Sequence, residues 1–174
     1  NWRAIEQHAA CEERLASLSA DHGVLKGRRQ DLLDLAEQLD QQRTVRLTQV
    51  LSKVNENFKR VYKTLSKGGE GELFLENPEQ PFSGGLDMWA RPRGKSSRCR
   101  LQGLSGGEQS MAALALIFAI QDYDPSPFYY FDEVDQNLDS DNARLIAEMC
   151  RARSERAQFI MVTLRKVSLS LADH

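Results

Sequence analysis

The chain has 174 residues, with 23 lysines and arginines against 25 aspartates and glutamates, 41% hydrophobic and 28% charged residues. This fits one ordinary globular unit with a solvated extension, excludes a fibre or a disordered tail, and, at a net charge of −2, excludes a protein held to nucleic acid by bulk charge. The longest apolar run, Met111 to Ile120, falls well short of the roughly 20 residues of a bilayer-spanning helix, and the scattered Cys11, Cys99 and Cys150 show no metal-ligand pairing, so a soluble protein in a reducing compartment is expected, with neither disulfide nor zinc.

The chain starts at Asn1 without methionine or signal peptide and reads as a fragment. Residues 1 to 66 contain no proline and carry 11 basic against 9 acidic residues, a composition that reads as helix. Leu18, Leu25, Leu32 and Leu39 recur at heptad spacing, with Ala4 and Cys11 continuing the series upstream, which is one half of a coiled-coil seam. The positions three residues earlier, His8, Leu15, His22, Arg29 and Ala36, make a poor second half, so this arm needs a partner helix. Gly23 and Gly27 each cost a helix interior about 1 kcal/mol relative to alanine, which marks His22 to Lys26 as a candidate break. His8, His22 and His174 are isolated and read as solvent-facing. From Leu47 the stripe broadens through Val50, Leu51, Val54, Phe58, Val61, Tyr62 and Leu65, as in a helix lying on a core, and Ser66-Lys67-Gly68-Gly69 ends it. The expected division is an arm over residues 1–46 and a globular lobe over 47–174.

After Gly71 the period falls to two. Leu73 and Leu75 alternate with Glu72, Phe74 and Glu76, and later Leu86, Met88 and Ala90 alternate with Asp87, Trp89 and Arg91, which predicts two strands. Asn77-Pro78, Pro81 and Gly84-Gly85 punctuate the loop between them. Met111 to Gln121 predicts an apolar helix, Phe128 to Phe131 a buried strand, Asn142 to Arg153 an amphipathic helix, and Gln158 to Val162 a second buried strand. Strand, helix, strand implies a parallel pair with a right-handed crossover.

Leu104-Ser105-Gly106-Gly107-Glu108 stands immediately before the apolar helix. Ser105 followed three residues later by Glu108 is a capping box, which begins many ordinary helices. Two glycines in the first turn weaken a helix while letting something approach its backbone. Exposed N–H groups at a helix N-terminus, with the Ser105 hydroxyl beside them, would seat a phosphate. Downstream, the apolar Phe128-Tyr129-Tyr130-Phe131 runs into Asp132-Glu133, Val134-Asp135 and Leu138-Asp139. A strand that delivers two acids at its C-terminal end resembles a Walker B site, with Asp132 serving Mg²⁺ and Glu133 polarising the water that attacks a γ-phosphate. The plainer alternative is that the acids cap the next helix, and for Asp139, Ser140 and Asp141 capping is the better reading. Eight acids and no basic residue lie between Arg100 and Arg144, a concentration that calls for compensating cations from outside the segment.

With these blocks, residues 45 to 174 resemble the C-terminal half of the ATPase head of an SMC protein, the chromosome-structuring branch of the ABC ATPase superfamily. The matching segments are Val54 to Phe58, Glu76-Asn77-Pro78, Pro81 to Leu86, Leu104 to Glu108, Pro127 to Asp139 and Gln158 to Arg165. The resemblance implies an α/β fold, the C-terminal lobe of an ABC-type head with a mixed sheet and flanking helices, carrying an N-terminal coiled-coil arm. It implies ATP and Mg²⁺ as cofactors, sandwiched between two heads. Ser105, Gly106, Gly107 and Glu108 would form the signature contact to nucleotide held by the other head, Asp132 the metal site, Glu133 the catalytic base, and Asp135 to Asp139 the D-loop along the head-to-head interface. The implied partners are the N-terminal half of the head, a second SMC head, a kleisin subunit and DNA, with no membrane, in a cytoplasmic, nucleoid-associated setting, nuclear in a eukaryote.

Two departures accompany the match. After Thr163, where many ABC ATPases carry a switch histidine, stands Leu164, which cannot donate a hydrogen bond. The Walker A loop is absent: Arg93-Gly94-Lys95-Ser96 imitates its end, but the glycine required five residues before Gly94 is Trp89, so the segment reads as a turn and the isolated chain is expected not to hydrolyse ATP. Arg91, Arg93, Lys95, Arg98 and Arg100 form a run without acids that is either a solvated strand-turn-strand surface or a contact for DNA phosphates. Tyr129-Tyr130 could stack on bases but fits core or interface packing better. Competing functions are a double-strand-break repair ATPase of the same superfamily, against which the Pro81 to Leu86 block argues, and a purely structural coiled-coil adaptor.

Overall fold

The computed structural model describes residues 2–173, so the expectation for His174 lies outside the described residues. The chain divides into two compact units, one ending at Leu47 and one beginning at Thr48. Helix α1 (Trp2–Leu65) runs without interruption through Gly23 and Gly27, so the candidate break near His22 to Lys26 is not formed. Both glycines keep their backbone N–H for the helical ladder, so a propensity cost of about 1 kcal/mol each does not break a helix of this length. Leu18, Leu25, Leu32 and Leu39 are all exposed, an unpaired seam. His8 and His22 are exposed, as expected.

In the second unit the last turns of α1 bury Val54, Phe58, Val61, Tyr62 and Leu65. Against them lies an antiparallel sheet of β1 (Glu70–Leu75), β2 (Leu86–Arg91) and the short β3 (Cys99–Arg100), in the order β1-β2-β3, with Glu70 opposite Arg91 and Leu75 opposite Leu86. A Cβ at Gly71 would come within 2.9 Å of the Phe58 ring and 3.1 Å of the Tyr62 ring, so glycine permits the strand to lie directly on the helix. The Asn55 side-chain oxygen accepts the Leu73 N–H at 2.8 Å and pins the same contact.

A turn of 3₁₀ helix (Leu101–Gly103) leads into α2 (Gly106–Tyr123), followed by β4 (Phe128–Asp132), α3 (Ser140–Arg153), β5 (Gln158–Val162) and the single-turn α4 (Lys166–Leu169). β4 and β5 pair in parallel, Phe128 with Gln158 through Asp132 with Val162, as the strand-helix-strand order implies. The core gathers Phe58, Tyr62, Leu73, Met111, Ala115, Phe118, Phe131 and Ile146. Asp122 at the end of α2 binds both sides of it. It accepts Arg153 in bidentate fashion at 3.0 and 3.0 Å and Arg60 at 2.8 Å, joining α1, α2 and α3.

One expectation needs correction. β4 and β5 are not buried on both faces: Tyr129, Phe131 and Phe159 pack inward, with Tyr129 stacked on Phe159 at 5.3 Å, while Phe128, Tyr130, Ile160 and Val162 are exposed. A strand apolar on both faces looks buried in sequence, but here the packed core covers only one of them. The burial of Cys150 pushes its thiol up to about 12, which makes it inert. Among the described residues no helix is long and apolar enough to cross a membrane.

Candidate nucleotide site

Helix α2 starts as the sequence prescribes. Ser105 is extended at φ −65° and ψ 159°, its carbonyl accepts the Gln109 N–H at 2.8 Å, and its own N–H donates to the Glu108 carboxylate at 2.9 Å, so the capping box is formed. Lys95 Nζ reaches the same Glu108 carboxylate at 2.8 Å. Desolvation works to raise the Glu108 pKa, but the hydrogen bonds from Lys95 and from the Ser105 amide and hydroxyl outweigh it and hold the carboxyl below the ordinary range.

The cap does not seal the turn, because Ser105 and Gly106 remain exposed. Here the two glycines part company. A Cβ at Gly106 would meet nothing within 4 Å, so its face of the turn is open. A Cβ at Gly107 would lie 2.8 Å from the backbone carbonyl oxygen of Asn137, so glycine here lets the chain's own loop approach closely. The start of α2 is thereby packed against the loop that follows β4.

That loop begins with the acidic pair. Asp132 ends β4 and Glu133 follows it, both exposed. Glu133 has φ +49°, a left-handed conformation that costs a non-glycine residue about 1–2 kcal/mol. Its N–H donates to Val162 O at 2.9 Å and its carbonyl accepts the Gln136 N–H at 3.0 Å. Asp135, expected along an interface, instead turns inward at 2% exposure and accepts the hydroxyls of Thr163 at 2.7 Å and Ser168 at 2.5 Å. Asp139 caps α3, accepting the Asn142 N–H at 2.7 Å, as the plainer reading held. Among the described residues no group of three or more His, Cys, Asp or Glu could cage a metal. A Mg²⁺ that arrives with a nucleotide needs only one or two carboxylates, since phosphate oxygens and water complete its shell, and the exposed Asp132 fits that demand.

The basic run is mostly engaged within the lobe. Arg91 pairs with Glu70 at 2.8 Å, Lys95 with Glu108 at 2.8 Å and Arg100 with Asp87 at 3.2 Å, while Arg98 lies 3.8 Å over the Trp89 ring. Arg93 is exposed. The Lys95 N–H donates to Pro92 O at 3.2 Å across Gly94 at φ +85°, so this segment is a turn, as expected. Leu164 is 87% exposed. The Asp135–Thr163–Ser168 cluster and the Lys95–Glu108 pair were not anticipated; their members stand far apart in the chain and leave no local pattern.

Comparison with known proteins shows which family the chain resembles. Residues 94–174 match the family model described as RecF/RecN/SMC N terminal domain. The chromosome partition protein Smc of Aquifex aeolicus is 46% identical over 149 residues, covering 86% of this chain and 13% of that protein. The Smc head domain of Pyrococcus furiosus, solved with an extended coiled coil and bound to the C-terminal domain of ScpA, superposes with a TM-score of 0.82 at 37% identity, covering 93% of this chain and 40% of that one. A structure from work on ATP-driven dimerization and DNA-stimulated activation of SMC ATPases gives a TM-score of 0.69 at 41% identity, covering 75% of this chain and 78% of that one. The chain spans only 13–15% of the length of the curated relatives it matches.

Proposed function

The chain belongs to the SMC family, and we propose that it is the C-terminal half of an SMC ATPase head, lending one wall to a composite ATP site. The arm over residues 1–46 and the lobe over 47–174 are the parts it brings. An N-terminal lobe supplies the phosphate loop that this chain lacks, and a second head presents the nucleotide to Ser105 and Gly106. The Ser105 hydroxyl and the Gly106 N–H then bond the γ-phosphate of that nucleotide, aided by the positive end of α2. Gly107 and Glu108 act one step back, Gly107 by seating the Asn137 carbonyl and Glu108 by fixing the Ser105 amide.

In its own head, Asp132 holds Mg²⁺, which supplies charge neutralisation at the phosphate oxygens. Glu133 accepts the proton of the attacking water. Asp139 organises the loop along the head-to-head face by capping α3. ATP binding closes the two heads and hydrolysis reopens them, a population shift that the arms transmit to DNA in chromosome organisation and segregation. The ScpA-bound head relatives support a kleisin subunit as a further partner, and the DNA-stimulated relatives support DNA. Within the basic run the exposed Arg93, which has no ion-pair partner among the described residues, is offered to DNA phosphate, with Arg91, Lys95, Arg98 and Arg100 recruited only at the expense of their present partners.

The observation that carries this reading is the packing of the open Ser105–Gly106 turn against the loop that begins with Asp132-Glu133, through Gly107 and Asn137. Mixing this chain with an N-terminal lobe should create ATPase activity that neither has alone; turnover by the isolated chain refutes the composite site. Glu133→Gln should keep ATP-driven pairing of heads while turnover falls by about 100-fold or more. Unchanged turnover removes Glu133 from that role.

A further inference from the structure

The geometry points to Asp135, Thr163 and Ser168 as positioning residues, a buried clamp that holds Glu133 in the conformation hydrolysis needs. This rests on Glu133 acting as the base. A left-handed glutamate persists only where its surroundings over-determine it, and two backbone bonds, Glu133 N–H to Val162 O and Gln136 N–H to Glu133 O, are the direct supports. Both anchor to pieces of chain that the clamp ties together.

Asp135 sits between those supports in sequence and is almost fully buried. Its Oδ2 takes both hydroxyls, from Thr163 in the segment after β5 and from Ser168 in α4. The Thr163 oxygen also accepts the Arg165 N–H at 3.0 Å, and the Arg165 guanidinium reaches across to Gln136 O at 3.0 Å. The loop after β4 and the segment after β5 are therefore laced together on both sides of the Glu133–Gln136 turn. A buried carboxylate given no ion-pair partner among the described residues is an expensive way to fill space, whereas an apolar side chain would pack there at lower cost. What the carboxylate adds is direction, since its lone pairs fix where Thr163 and Ser168 stand relative to the turn. The clamp also makes the two motifs one body. Any displacement of the 163–165 segment, with its outward Leu164, is felt at Glu133.

The test uses the head assembled from this chain and its N-terminal lobe, with Thr163→Val, Asp135→Ala, which removes the acceptor of both hydroxyls, and the conservative Thr163→Ser. Hydrogen exchange at the Glu133 and Gln136 amides, measured without nucleotide, reads the clamp itself. In Thr163→Val and Asp135→Ala these amides should exchange about 10-fold faster, kcat should fall about 10-fold, and KM for ATP and ATP-driven pairing should stay within about 2-fold, with Thr163→Ser near wild type. Unchanged exchange overturns the inference, as does faster exchange with normal kcat, or a loss confined to KM or pairing. If Asp135→Ala does not fold, the Thr163→Val and Thr163→Ser pair decides. Unchanged turnover in Glu133→Gln defeats the base assignment, while the exchange data still judge the clamp.

Discussion

Gly106 and Gly107 are neighbours in one turn of α2, yet alanine should act on them with opposite sign. At Gly107 a new methyl would sit 2.8 Å from the Asn137 carbonyl oxygen, several tenths of an ångström inside ordinary contact, and its neighbour is backbone, which cannot swing aside like the end of a side chain. Overpacking of this kind costs about 1–3 kcal/mol. The gain in helix propensity from glycine to alanine returns up to about 1 kcal/mol, which leaves a net destabilisation of roughly 0–2 kcal/mol. At Gly106 no atom opposes the methyl, so the propensity gain of up to about 1 kcal/mol stands alone. Urea unfolding of the two variants should therefore separate them by about 1–3 kcal/mol, Gly106→Ala being the more stable. The functional order is different: Gly106→Ala, though well folded, places a methyl on the open face of the phosphate seat and should weaken ATP-driven pairing of heads. A Gly107→Ala variant as stable as Gly106→Ala refutes the packing argument, and a Gly106→Ala variant that pairs normally moves the phosphate elsewhere.

Ser105→Arg should abolish pairing while circular dichroism stays near wild type and the lost N-cap costs the lobe only about 1–2 kcal/mol in urea unfolding; normal pairing takes the contact away from this turn. Glu108 has a lower pKa folded than unfolded, so its contribution is complete above the unfolded value of about 4.3 and is lost as pH falls through the folded one. Stability below about pH 4 should thus fall more steeply for wild type than for Glu108→Gln, and parallel curves refute it. Asp122→Ala strands the largely buried Arg153 and frees Arg60, and should destabilise the lobe by about 2–4 kcal/mol in urea unfolding, whereas a loss below about 0.5 kcal/mol shows the junction of α1, α2 and α3 to be held by apolar packing alone.

What could be read from the residues alone is what neighbours along the chain decide. The heptad leucines, the two-residue alternation of β1 and β2, the Ser105–Glu108 capping box and the delivery of Asp132-Glu133 at the end of a strand are each set within a few positions, by a period or by a cap. The same locality led to the break entertained at Gly23 and Gly27, where the propensity of two residues was weighed without the continuity of the ladder around them. Only the folded chain could decide which face of β4 is covered, that Gly107 admits Asn137 while Gly106 stays open, that the Arg91 to Arg100 run is largely paired, and that Asp135 turns inward to Thr163 and Ser168. Asp122 with Arg60 and Arg153, and Asp135 with Thr163 and Ser168, meet across 62, 31, 28 and 33 positions. A side chain's polar partner is whatever the packed backbone brings within 3 Å of it, and that proximity is a property of the assembled core, not of any stretch of sequence.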